Sequence, residues 1–379
     1  MKIVKQTALV LMATPVLLIT TQAQAFKVKG SAGSGITATA IAEFNAPWAM
    51  TFIDTKTMLV STKLGKLWLV KQNGTKVQVR GVPKAQVGGQ GGLGDVVPHP
   101  NFKKNGFIYI SYVDSTDNGA TRGSVVVRAK LDISDRPKLS NIKKIWTQLP
   151  KMKGRGHFSH KLAFGPNGSP QEGKLFITSG DRQQQTPAQN WKMALGKIIR
   201  LNDDGSVPSD NPYQDKGKLA KTFWTVGHRN LLGISFDAKG KLWSHEMGPK
   251  HGDELNLIEP GKNYGWPIVS NGNNYSGRRI PDHNTRPEFA APKAYWVPSI
   301  APSGLIVYSG NVFPKFRGNA FIGGLVSRAL VRVQINSNTA REVERFEWGK
   351  RIREVEQAPD GSLYILEDRD GGRLLRLTP

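Results

Sequence analysis

The sequence predicts an all-β chain, a six-bladed β-propeller of four-stranded antiparallel blades. Three observations carry this expectation. A turn containing Gly, followed by a burst of β-prone residues, occurs six times. Gly and Pro make up about one residue in six, and no long 3.6-residue apolar periodicity supports helical repeats. A separate segment, Gly35 to Phe44, alternates like a strand and lies outside the six copies.

Taken in chain order, residues 1–25 read as a secretory signal. Lys2 and Lys5 form a basic start, Ala8 to Ile19 is almost wholly apolar, and Ala23-Gln24-Ala25 supplies the small residues of a cleavage site. The apolar core is short for a bilayer span, and no later apolar run is long enough for one. The expectation is a periplasmic or secreted protein with no membrane span. The Gly35–Phe44 strand comes next. It is expected to complete the last blade beside the C-terminal strands, hiding two open sheet edges.

The six copies are Gly65-Lys-Leu-Trp-Leu-Val70, Gly106-Phe-Ile-Tyr-Ile-Ser111, Gly173-Lys-Leu-Phe-Ile-Thr178, Gly240-Lys-Leu-Trp-Ser244, Gly318-Asn-Ala-Phe-Ile-Gly323 and Gly361-Ser-Leu-Tyr-Ile-Leu366. Hairpin signals such as Asn105-Gly106 and Asp360-Gly361 precede several of them. Partner strands are legible at Leu162–Phe164 and Ile234–Phe236. Units of this size cannot bury themselves alone, so they imply a ring or solenoid. Six blades over residues 26–379 leave roughly 59 residues each, enough for a four-stranded blade and its insertions. No low-complexity linker interrupts this stretch, so residues 26–379 read as one domain. A pair of ordinary β-sandwiches is the architecture that the pattern leaves as an alternative.

Composition narrows the chemistry. Cysteine is absent, which excludes disulfides, iron–sulfur clusters, thiolate zinc sites and a cysteine nucleophile. The net charge of +24 favours an anionic ligand, polyanion or acidic surface. The charges are scattered, not grouped in a basic tract, which speaks against nucleic acid.

Four clusters hold the less ordinary residues, and loops at one face of a propeller line its central mouth. Gly88 to Asp95 is glycine-rich but lacks the Lys-Ser/Thr of a phosphate loop. His157 and His160 stand three apart; an imidazole there suits a general base, a buried hydrogen-bonded group or, with further ligands, a metal. Asp181 closes the following strand, one hairpin away, where it could orient such a His. Arg229 and Asn230 side by side suit an anion and a carbonyl. Gly248-Pro249 with Asp253-Glu254, then Gly261 to Pro267, offers loop carbonyls and carboxylates for a hard cation such as Ca²⁺, or a turn stiffened by Gly and Pro.

As an ordered set these pieces resemble the soluble sugar dehydrogenases that use pyrroloquinoline quinone (PQQ), the aldose sugar dehydrogenases more than the soluble glucose dehydrogenases. The resemblance runs from Ala46-Pro-Trp48 to Leu377. It rests on Gln90 to Phe102, Gly196 to Leu201 with Asp210-Asn-Pro212, Gly227 to Asn230, Gly248-Pro249, Asp253-Glu254, Asn263 to Pro267 and Arg351-Ile-Arg353. It implies the same six-bladed fold. It also implies PQQ and Ca²⁺ as cofactors, an aldose substrate oxidised at C1 to a lactone, an external electron acceptor (quinone, cytochrome or dye), and a monomer or dimer.

The resemblance further implies roles. His157 is the catalytic base, Asp181 the carboxylate that holds it, and Arg229 the cation beside the reactive quinone carbonyl. Gln90, Asn230, Arg351 and Arg353 contact cofactor or sugar. Gly248 and Pro249 give carbonyls to the calcium that grips PQQ, while Glu254 and the Tyr264 carbonyl form a second, structural calcium site.

The chain departs from the family pattern at three places. His160-Lys161 stands where Gly-Arg is common, which predicts a crowded pocket. No Lys occupies Leu325 to Arg328, which predicts weak PQQ binding unless Arg328 compensates. Arg182 to Gln185 form a polar loop expected to shape substrate access. A non-catalytic propeller that binds glycans or another polyanion, and a calcium-dependent lactonase, are the competing functions.

Overall fold

The computed structural model describes residues 25–379, which form twenty-five strands with almost no helix. The expected signal lies outside the described residues apart from Ala25. Among the described residues no helix is long and apolar enough to cross a membrane.

The strands build six antiparallel sheets, five of four strands and one of five. Blade 1 opens with Pro47–Phe52, blade 2 with Leu93–Pro98, blade 3 with Ser159–Phe164, blade 4 with Leu231–Phe236, blade 5 with Pro302–Val307 and blade 6 with Ile352–Gln357. Each of these inner strands packs against the next, and the sixth returns to the first, so the ring is closed. The closing blade is the five-stranded one. Gly35–Phe44 pairs antiparallel with Gly372–Thr378, from Thr37 opposite Thr378 to Phe44 opposite Gly372. Ala25–Lys29 adds a fifth strand outside it. The expected joining of chain start and chain end is therefore observed.

Six apolar clusters fill the six joints between neighbouring blades. This explains the sequence bursts. Successive strand residues point to opposite faces. Leu67 and Leu69 face blade 2, while Trp68 and Val70 face blade 6. Both faces are covered, so Leu67 to Val70 are apolar at successive positions instead of alternating with polar residues.

One repeat falls out of register. Five of the six glycine turns lead into the second strand of a blade, but Gly65 leads into the third strand of blade 1, Lys66–Lys71. The second strand there, Thr57–Thr62, follows a turn that uses no Gly. The Asp54 side chain accepts the backbone N–H groups of Lys56 at 2.7 Å and Thr57 at 2.8 Å and makes the turn itself.

All six inner strands share a further feature. Each carries one extra residue relative to its second strand near its N-terminal end. Such bulges re-aim side chains and are frequent beside functional sites. Trp48, His160, Leu232 and Arg353 sit at these bulges and all line one cavity at that end of the ring.

Candidate active site

His157 lies in the loop that enters blade 3, with φ of +48°; Ser159 and His160 follow at +59° and +55°. Three non-glycine residues in the left-handed region are strained, and strain of this kind collects at functional sites. Several contacts hold the segment in place. The His157 backbone N–H donates to Gln90 Oε1 at 2.7 Å, and its Nδ1 donates to Asp181 Oδ1 at 2.7 Å. The second Asp181 oxygen accepts Trp266 Nε1 at 2.8 Å, and Oδ1 also accepts the Gln183 N–H at 2.8 Å.

These donors decide the protonation states. Burial pushes the Asp181 carboxyl up, but the bond from His157 and the nearby Arg229 outweigh it, and its pKa lies below the ordinary aspartate value. Burial also depresses His157, opposed by Asp181 and assisted by the charges of Arg229 and Arg182. The imidazole is therefore neutral at neutral pH, with its proton on Nδ1. Its Nε2 has no hydrogen-bond partner among the described residues and is not sealed from solvent.

Arg229 and Asn230 stand next to this pair. The Asp181 N–H donates to the Arg229 carbonyl at 2.8 Å. The Arg229 guanidinium lies 5.3 Å from the centre of the Trp266 ring and donates to the Met247 carbonyl at 2.9 Å. Asn230 Oδ1 accepts the Ser159 hydroxyl at 3.3 Å. His157, Asp181, Gln90 and Arg229 thus form one hydrogen-bonded group, with Asn230 bonded to Ser159 beside it.

Arg351 and Arg353 lie across the ring mouth, on a cavity of about 630 Å³ that Gln90, Trp48 and Met247 also line. Both arginines grip one carboxylate. Arg351 Nε is 2.7 Å from Asp368 Oδ2, and Arg353 Nε is 2.9 Å from Asp368 Oδ1. Arg353 also stacks over Trp48 at 4.3 Å. The volume suits a medium-sized organic ligand, and the paired guanidiniums suit an anionic one.

The residues expected to bind cations lie on a second, 10 Å³ cavity, which Arg229, Gly248, Pro249, Glu254 and Tyr264 line and Met247 joins to the first. The Gly248 and Pro249 carbonyls accept no hydrogen bond among the described residues. Only Gly fits at position 248, because a Cβ would stand 2.1 Å from the His251 carbonyl oxygen. Glu254 Oε1 accepts His283 Nε2 at 3.2 Å and Oε2 accepts Asn256 Nδ2 at 3.2 Å. Burial raises the Glu254 pKa. No group of three or more His, Asp or Glu residues suited to a metal occurs among the described residues.

Residues 44–376 match the family model described as glucose/sorbosone dehydrogenase. The chain belongs to the glucose/sorbosone dehydrogenase family. It is 36% identical to the aldose sugar dehydrogenase YliI of Escherichia coli, over 88% of this chain and 90% of that one. The crystal structure of the soluble aldose sugar dehydrogenase from Escherichia coli in its apo-form superposes with a TM-score of 0.84 at 33% identity, covering 91% of this chain and 99% of that one. The PQQ-bound aldose sugar dehydrogenase of Streptomyces coelicolor superposes with a TM-score of 0.76 at 26% identity, covering 93% and 98%.

The structure resolves the three departures within this family member. His160 is buried on the cavity floor, with Nδ1 2.8 Å from Ser111 Oγ and its ring parallel to Trp48. The room comes from Gly94, where a Cβ would stand 1.9 Å from His160 Cε1. Burial drives the His160 pKa down to about 3, so it adds no charge. Arg328 does not line the cavity and is exposed, whereas Val326 does line it. In the Arg182 to Gln185 loop the three glutamines are exposed, but Arg182 is not. It is buried behind His157, donates to the carbonyls of Gly154, Gly156 and Arg122, and stacks on Phe158 at 3.7 Å.

Four contributors escaped the sequence reading. Trp266 and Trp48 lay inside quoted motifs, but nothing local tied them to Asp181 or Arg353. Asp368 and Lys63 follow the ends of strands and carry no pattern of their own.

Proposed function

We propose that this chain is a secreted PQQ- and calcium-dependent dehydrogenase that oxidises the C1 hydroxyl of aldose sugars to lactones. One observation carries the reading most strongly: a neutral imidazole, tethered through Nδ1 to Asp181, leaves Nε2 without a partner among the described residues, and the residues that follow it, Phe158 to His160, line the cavity that Lys63, Arg351 and Arg353 also line. The PQQ in the Streptomyces coelicolor relative's structure supports the cofactor assignment.

The residues present fit both groups. Arg351, Arg353, Gln90 and Asn230 would hold the PQQ carboxylates and ring, and the hydrogen-bond-free carbonyls of Gly248 and Pro249 would hold calcium. Glu254 and the Tyr264 carbonyl would hold the structural ion; a cation there relieves the buried Glu254 charge. When bound, PQQ supplies a quinone that accepts the two electrons of the sugar's C1 hydride.

The chain's own residues do the rest. His157 Nε2 takes the C1 hydroxyl proton as the C1–H bond gives up its hydride, so C1 becomes the lactone carbonyl. Asp181 stabilises the imidazolium that forms. Arg229, held by Trp266 and Met247, opposes the negative charge that develops nearby. Turnover requires an external electron acceptor. Export would remove residues 1–25 and leave Phe26 as the first residue, which N-terminal sequencing of the exported protein checks.

The deciding experiment is reconstitution. Apoprotein given PQQ and Ca²⁺ should develop a bound-quinone spectrum and aldose-dependent dye reduction, and lose both in excess chelator. Activity with a nicotinamide cofactor alone, or quinone binding that no aldose can discharge, would sink the reading; the second result would favour a non-catalytic propeller.

A further inference from the structure

The charges that line the large cavity are not equally available. Arg351 and Arg353 are both committed to Asp368, which neutralises one of the two. Arg369 is exposed at the rim. Lys63 is half-buried, lines the cavity, and makes no ion pair among the described residues. Its ammonium donates only to the Gly89 carbonyl.

Lys63 is also held in place. Its N–H donates to the Ala46 carbonyl at 2.9 Å, and its carbonyl accepts the Leu93 N–H at 3.2 Å. The glycine-rich segment folds directly onto it. Gly92 has φ of +156°, and a Cβ there would stand 2.1 Å from the Lys63 carbonyl oxygen. The glycines at 89 and 92 thus bring backbone against both ends of Lys63, and the Gly89 carbonyl steers the ammonium to the cavity edge. Burial and the charge of Arg353 lower the Lys63 pKa, and the charge of Asp368, already shared with Arg351 and Arg353, only partly opposes them.

We infer that Lys63 is the cation that takes a carboxylate of the bound cofactor, the part for which Leu325 to Arg328 offers no lysine. This rests on the PQQ reading above and names a residue for it. Arg328 cannot serve, because it does not line the cavity. Lys63 reaches the same cavity from blade 1, on the turn after Thr57–Thr62.

The test is a PQQ titration of Ca²⁺-loaded apoprotein, followed by tryptophan fluorescence and calorimetry, so that no turnover is needed. Lys63→Gln should raise the Kd roughly 10- to 100-fold, the scale of one charge-assisted contact. Lys63→Arg should stay within about threefold of the parent because it keeps the charge. Arg328→Gln should bind like the parent. A Lys63→Gln protein that binds as tightly as the parent overturns the inference and leaves the PQQ reading standing. Equal loss in Lys63→Gln and Lys63→Arg also overturns it, since shape and not charge would then matter. A parent protein that takes no PQQ with Ca²⁺ present overturns both.

Discussion

Asp181 Oδ1 accepts the Nδ1 proton of His157 at 2.7 Å, across 24 residues of sequence. The two groups meet because His157 precedes the inner strand of blade 3 and Asp181 follows the second, so the hairpin returns one to the other. The bond settles which imidazole nitrogen is open, and so which atom can act as a base. Trp266, from beyond blade 4's third strand, holds the opposite carboxylate oxygen and fixes its direction.

His157→Ala should lower turnover by roughly 10²–10⁴-fold with PQQ binding little changed, because a general base contributes on that scale. Asp181→Asn should fall in the same range by losing the anion that stabilises the imidazolium and presenting an amide that can reverse the tautomer. Turnover within a few-fold of the parent in either variant, by steady-state dye reduction, would remove the pair from the mechanism.

The acid limb of kcat/KM should have its midpoint below pH 6.5, the ordinary His value from which His157 is depressed. The sign is set by the form required. The base must be neutral, so activity is present above the lowered pKa and is lost as pH falls through it. Arg182→Gln removes a cation that disfavours the imidazolium and should move this limb to higher pH. An unmoved limb would confine Arg182 to holding the loop.

Gly94→Ala should destabilise the protein by about 1–3 kcal/mol, since it overpacks the His160 site. His160→Gly should relieve most of that loss in the double variant. His160→Ala alone should leave turnover within a few-fold of the parent, or raise it. Urea unfolding of the four proteins measures the coupling. Additive effects would show that the Gly94 and His160 contact is not what restricts the site.

Calcium should raise the thermal midpoint, and more so at pH 8 than at pH 5. Burial raises the Glu254 pKa, so without a cation its contribution is favourable at low pH and is lost as pH rises above the ordinary Glu value of 4.5. A bound cation reverses that loss, and binding to the folded state alone stabilises it. Glu254→Gln should shrink the pH dependence of the calcium effect. Scanning calorimetry with and without chelator reads both. A calcium effect identical at the two pH values would move Glu254 out of the ion's reach.

The sequence by itself determined the architecture, since its signals are local. Asn105-Gly106 and Asp360-Gly361 make their turns without help from elsewhere, and a strand buried on both faces must be apolar along its length, as Leu67 to Val70 are. Closure was legible too, because Gly35–Phe44 alternates and has no nearby strand to pair with. The one misplaced copy, Gly65, shows the limit of that reading: a turn made by an Asp54 side chain serves as well as one made by Gly, and the pattern cannot distinguish second strand from third. His157, Asp181, Arg229 and the Gly248-Pro249 pair were found because each lies in a short ordered motif. Only the tertiary structure placed Trp266 against Asp181 and gathered Lys63 and Asp368 on one cavity with Arg351 and Arg353, and only it showed Gly94 making room for His160. The Trp266 and Gly94 contacts join different blades, and Asp368 meets Arg351 and Arg353 across a hairpin of blade 6. Ring closure brings such residues to one mouth, and a bulge of one residue in each inner strand aims them; neither leaves a mark in the residues adjacent in the chain.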